Sequence, residues 1–157
     1  MSDDMTFMRE AIELAITKMQ ANYGGPFGAL VVMDGEVVGR GWNCVTSAND
    51  PTAHAEVVAI RDACTNLEAF RLEGATLYTS CEPCPMCLAA AYWARIARIC
   101  YACEKADAER AGFVDSLLYD ELALPQAERH IPMVQLLREE GCVAMDAWMA
   151  KPDRIEY

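Results

Sequence analysis

The stretch SCEPCPMC, residues 80–87, sets three cysteines and a carboxylate within eight positions. A metal site, a dithiol redox pair and a disulfide anchor all suit such a cluster. Cys84 and Cys87 are three apart, and on a helix that spacing turns both sulfurs to one face, in reach of one ion. Pro83 and Pro85 fit only near a helix start, which puts the pair in a first turn, where backbone N–H groups and the helix dipole favour thiolates. A tetrahedral zinc site takes a further ligand from elsewhere, and the chain has two histidines, His54 and His130. His54 opens the preceding helix, and in a layered α/β domain two helices that follow adjacent strands can bring their N-termini to the same end of the sheet. Three protein ligands leave the fourth zinc position to water or hydroxide, the mark of a catalytic site, with one Zn²⁺ per chain. Glu56, two residues after His54, falls beside that water without being a ligand, as a general acid/base must.

Plainer readings compete. Cys100 and Cys103 make a second CxxC, CYAC, as a structural zinc ribbon requires. CYAC lies in an apolar, strand-like run, where positions three apart point to opposite faces, and the ribbon leaves His54 and Glu56 unexplained. No thioredoxin-like pattern accompanies the pair to support redox chemistry. Cys44, Cys64, Cys100, Cys103 and Cys142 read as small buried hydrophobes. Cys81 falls on the loop side of Pro83 and is not a ligand, Glu82 bonds backbone near the helix start, and His130 is a surface or packed residue.

The elements that must position these groups follow from periodicity. Met5, Met8, Ile12, Ala15, Ile16 and Met19 recur at helical spacing over residues 5–19. FGALVVM, Asp34-Gly35 and EVVGRGW predict a hairpin with a tight two-residue turn. Asp50-Pro51 reads as an N-cap and first turn of a helix running to about Leu67. ATLYTS (75–80) and RICYAC (98–103) are strands flanking a helix through CPMCLAAAYWARI. Beyond them AERAGFVDSLLYDEL reads as short helix and loop, PMVQLL as a strand and CVAMDAWMA as a final helix. The sum is a single domain over residues 1–157, a three-layer α/β/α sandwich whose central mixed sheet has about five strands.

Composition narrows the function classes. Thirteen Lys and Arg against 24 Asp and Glu leave a net charge of −11. Phosphate neutralisation needs the opposite balance, so no nucleic-acid partner is expected. No apolar run approaches the roughly 20 residues of a membrane span, and the first twenty residues carry charges throughout. A cytoplasmic protein with reduced thiols is expected.

HAE (54–56) with PCPMC (83–87) matches the known HxE and PCxxC signature of zinc deaminases and resembles the cytidine deaminase superfamily. GGPFGA (24–29), NDPTAHAE (49–56), LYTSCEPCPMC (77–87), YWAR (92–95), AGFVDS (111–116) and the terminal Tyr157 are similar to the small bacterial guanine deaminases. The resemblance implies a cytidine deaminase-like fold and hydrolysis of guanine to xanthine and ammonia, with zinc-activated hydroxide adding at C2 and Glu56 as proton shuttle. It implies His54, Cys84 and Cys87 as metal ligands, Glu56 and Asp115 as catalytic groups, and Asn43, Phe27, Ala55, Trp93 and Tyr157 as substrate contacts. It also implies a homodimer in which the C-terminal segment, about residues 145–157, of one subunit closes over the other's site. Guanosine or another aminated heterocycle, a tRNA adenosine, and a noncatalytic zinc interaction module are the competing readings.

Overall fold

The computed structural model describes residues 2–157, and the chain divides after Asp115 into two compact units. In the first, helix α1 (Ser2–Gln20) precedes strands β1 (Gly28–Met33) and β2 (Glu36–Trp42). A short helix α2 (Val45–Ala48) leads to α3 (Ala55–Asn66), β3 (Thr76–Cys81), α4 (Pro85–Trp93), β4 (Arg98–Cys103) and α5 (Lys105–Arg110). The second unit holds α6 (Ser116–Ala123), a 3-10 turn at Gln126–Glu128 and α7 (Arg138–Ala150).

The sheet is mixed, with four strands among the described residues in the order β2-β1-β3-β4. β1 pairs antiparallel with both neighbours, while β3 and β4 run parallel, joined through α4. A parallel pair needs such a crossover because a tight turn cannot reverse the chain twice. The hairpin expected at Asp34-Gly35 forms, with φ of 51° and 81° at the two residues, the positive angles of a type I′ turn. β1, GALVVM, is buried on both faces as befits a central strand.

Two apolar clusters sandwich the sheet. Ala29, Val31 and Leu77 pack with Ala55, Ala59 and Ala91 of α3 and α4 on one face. Leu30, Val32 and Tyr78 pack with Ala11 of α1 on the other. The three layers expected from sequence are therefore present, one strand fewer than the count of about five. PMVQLL forms no strand: residues 132–137 are irregular. The face of α1 that meets the sheet is also shifted. Phe7, Met8, Ala11 and Leu14 carry it, whereas Met5, Ile12, Ile16 and Met19 are exposed. Among the described residues no helix is long and apolar enough to cross a membrane.

Asp50 does not cap α3. Its Oδ1 accepts from the amide and the hydroxyl of Thr52 at 2.8 and 2.7 Å, closing a local turn, and α3 begins only at Ala55. The residue at the N-cap is His54. Gly41 sets how closely α3 lies on β2: a Cβ there would stand 2.1 Å from the Ala55 carbonyl oxygen. The helix start that carries His54 and Glu56 is thus seated on the bare backbone of β2.

Candidate metal and active site

His54 and Cys84 occupy equivalent places, the N-caps of α3 and α4, both in extended conformation and neither making a side-chain cap bond. Pro85 follows Cys84 in the first helical position, where its missing N–H costs nothing and its fixed φ starts the helix. Cys87, one turn on, is 0% exposed. The two helix starts meet: His54 Nδ1 lies 3.6 Å from the sulfurs of both Cys84 and Cys87, and the three donor atoms all fall within 4.8 Å of one another.

This geometry fits zinc. Zn–S bonds of about 2.3 Å and a Zn–N bond of about 2.05 Å at the tetrahedral angle leave N···S edges of about 3.6 Å. Two thiolates and one imidazole are also the donors that a borderline-soft ion prefers. Cys84 is poised as thiolate: the Cys87 thiol and the His54 ring hold its pKa down at about 4. Cys87 moves the other way, because its proton is shared with Cys84 and its surroundings are buried and acidic. The two thiols thus share one proton, which a bound cation would displace by offsetting the second charge. His54 is raised by its bond to the Cys84 sulfur.

Glu56, 6% exposed, stands beside this set and outside it. Its Oε2 is 3.4 Å from the Cys87 sulfur, and its Oε1 accepts from the Thr79 hydroxyl at 3.3 Å. Burial pushes its carboxyl up, so it can hold a proton as well as release one.

Asn43, 7% exposed, is fixed by the loop that precedes β1. Its Oδ1 accepts from the amides of Gly25 and Val45 at 3.1 and 3.3 Å. That network identifies the oxygen and leaves Nδ2 as the group that can donate to a ligand. Gly24 permits the approach, since a Cβ there would lie 2.4 Å from Oδ1. Phe27 is tied to the same residue, its carbonyl accepting from the Asn43 amide at 3.0 Å. Its ring meets Phe113 edge-on at 4.9 Å. Asp115 has a buried Oδ1 with no hydrogen-bond partner among the described residues, and its carboxyl is raised by burial and by the nearby Cys84 charge.

Ala55 is fully buried at the first position of α3, where its amide has no intrahelical acceptor. Trp93 ends α4, 68% exposed, and Tyr157 is 74% exposed in the second unit.

Cys81 is buried with its thiol pushed up to about 11 and is not part of the donor set. Glu82 does bond backbone, but at the start of α5, accepting from the Lys105 amide at 3.1 Å. His130 is a surface residue, 2.6 Å from Glu121. The reading of the remaining cysteines as buried needs correction. Cys103 is exposed and Cys44, Cys64, Cys100 and Cys142 only half-buried. Cys103 sits at the end of β4, an edge strand of the sheet among the described residues. Sequence reasoning gave Thr79, Phe113 and Gly24 no role of their own, although all three lie within the motifs LYTSCEPCPMC, AGFVDS and GGPFGA.

The cytidine and deoxycytidylate deaminase zinc-binding region matches residues 1–103. The guanine deaminase of Bacillus subtilis is 50% identical over 97% of each chain. The crystal structure of guanine deaminase from that organism superposes with a TM-score of 0.95, covering 98% of both chains. The tRNA-specific adenosine deaminase of Bacillus subtilis is 36% identical, over 92% of this chain and 87% of its own. The chain belongs to the cytidine and deoxycytidylate deaminase zinc-binding family.

Proposed function

We propose that this protein is a zinc-dependent guanine deaminase, converting guanine and water to xanthine and ammonia. The observation that carries the chemistry is Glu56, buried and 3.4 Å from a donor-set sulfur yet not a member of the set. His54, Cys84 and Cys87 would hold one ion per chain, leaving a fourth position for water or hydroxide. Zinc, when bound, supplies the Lewis acidity that makes water a nucleophile near neutral pH.

With the ion bound, Glu56 would carry a proton from the attacking water to the ring nitrogen next to C2 as that carbon takes up oxygen. Asp115 accepts from the exocyclic amino group and assists its departure; a carboxyl raised by burial suits a proton carrier. Asn43 donates through Nδ2, which pairs with a carbonyl oxygen such as that of guanine and finds only a donor at the same place on adenine. Phe27 packs against the base, and the Ala55 amide is a further donor at the helix start. The 50% identical relative bears the name guanine deaminase, which supports this substrate over others.

The protein acts as a homodimer in which the C-terminal segment, about 145–157, closes over the partner's site and brings Tyr157 to it, while Trp93, at the end of α4, is a further substrate contact. In support, no described residue of 116–157 is buried, and Leu122, Ile131, Val134 and Leu136 are each more than 60% exposed. Apolar surface on that scale marks an interaction site. Light scattering at micromolar concentration should give twice the chain mass, and a monomer contradicts this arrangement. Eight free cysteines suit a reducing compartment, so the protein is assigned to the cytoplasm.

Ammonia release from guanine, guanosine, adenine, cytosine and an adenosine-containing tRNA stem tests the substrate. Guanine should be turned over fastest. Turnover of guanosine or of the tRNA stem with guanine inert contradicts the proposal.

A further inference from the structure

Thr79 is 1% exposed at the middle of β3, in register with Ala29 of β1 and Tyr101 of β4. Side chains two apart on a strand share a face, so Leu77, Thr79 and Cys81 form one row on the side covered by α3 and α4. Leu77 belongs wholly to the apolar cluster there. A hydroxyl in such a row has left water and needs a partner. It finds Glu56, to whose Oε1 it donates at 3.3 Å across 23 residues of sequence.

We propose that Thr79 is a positioning residue for the deamination. Its hydroxyl holds Oε1 of Glu56 against β3, so that Oε2 is the oxygen turned toward the donor set and the reacting proton. The inference rests on Glu56 being the proton carrier. Helix α3 fixes the Glu56 backbone, but rotatable bonds separate that backbone from the carboxylate, and a carboxylate that swings is not preorganised. Cys87, which approaches Oε2, cannot serve as anchor once it binds metal, because a thiolate does not donate. The Thr79 hydroxyl keeps its donor in every state of the metal. A valine would fill the same space in the apolar row without it.

Thr79→Val and Thr79→Ser separate positioning from packing, since the first keeps the shape and loses the hydroxyl while the second keeps the hydroxyl and loses a methyl. Positioning predicts that Thr79→Val retains the parent's zinc content and KM while kcat falls on the order of 10- to 100-fold. Thr79→Ser should stay within about threefold of the parent. A packing role reverses the ranking, with serine the worse variant. Equal kcat for Thr79→Val and parent, or a larger loss in serine than in valine, overturns the proposal. A crystal structure of Thr79→Val gives a readout independent of turnover: the Glu56 carboxylate should rotate away from residue 79, and an unmoved carboxylate overturns the inference. Failure of the parent to deaminate guanine sinks the substrate reading instead, and the crystallographic comparison still decides the role of Thr79.

Discussion

The Nδ1 of His54 lies 3.6 Å from the Cys87 sulfur across 33 residues of sequence, because the start of α3 and the start of α4 converge at one end of the sheet. That convergence would make a bound metal a shared property of two elements. His54→Ala should lower zinc content well below one ion per chain and reduce guanine turnover at least about a hundredfold. Metal analysis beside a turnover assay checks both. Chelation of the parent should have the same effect, reversed by added zinc.

Asn43→Asp isolates the donor proposed for the base. The aspartate can still accept from the Gly25 and Val45 amides, so the loop should keep its shape and the melting temperature its value. What disappears is Nδ2. Steady-state kinetics on guanine should show kcat/KM lower by on the order of 100-fold.

Gly41→Ala tests whether the seat of α3 on β2 positions the site. The added Cβ would stand 2.1 Å from the Ala55 carbonyl oxygen and 2.3 Å from the Ala59 amide nitrogen, both backbone atoms that cannot step aside alone. Overpacking of this kind costs about 1–3 kcal/mol, to be read from denaturant unfolding. Zinc affinity should fall as well, since the displaced helix start carries His54.

Asp4 joins α1 to β4. Its carboxylate pairs with Arg98 at 2.8 Å and accepts from the buried Tyr78 hydroxyl. Arg98 first, and Tyr78 after it, hold the Asp4 pKa below its ordinary 3.8. A depressed carboxyl contributes stability above its unfolded pKa, and that contribution is lost as pH falls through the folded one. Asp4→Ala should therefore melt below the parent at pH 7, with the gap closing as the pH is taken down from about 4. Thermal melts across that range follow the difference.

Much of the site was legible because its signals are local. The spacing of Cys84 and Cys87, the flanking prolines and the His54–Glu56 interval each lie within one short segment, and helix starts are among the best-marked places in a sequence. The hairpin was legible for the same reason, Asp34-Gly35 being a turn in its own right. Thr79 drew no role of its own because its meaning lies in a partner 23 residues away, and threonine in a strand otherwise reads as ordinary β propensity. The closeness of Gly24 to Asn43 is likewise a tertiary fact. Asp50 misled because the residue that could cap a helix is equally suited to bond its own turn, as it does with Thr52. The apolar pattern of 132–137 suggested a strand, yet a strand exists only beside another, and the described residues of the second unit form no sheet.

The central claim is that Glu56, a carboxylate outside the donor set of His54, Cys84 and Cys87, carries the proton in a zinc-dependent hydrolysis of guanine. Xanthine formation by the parent and by Glu56→Ala, with zinc counted in both, tests it most directly. The parent should bind one zinc per chain and turn guanine over, and Glu56→Ala should keep its zinc while losing on the order of 1000-fold in kcat. Undiminished turnover in Glu56→Ala, or loss of zinc along with activity, would contradict it.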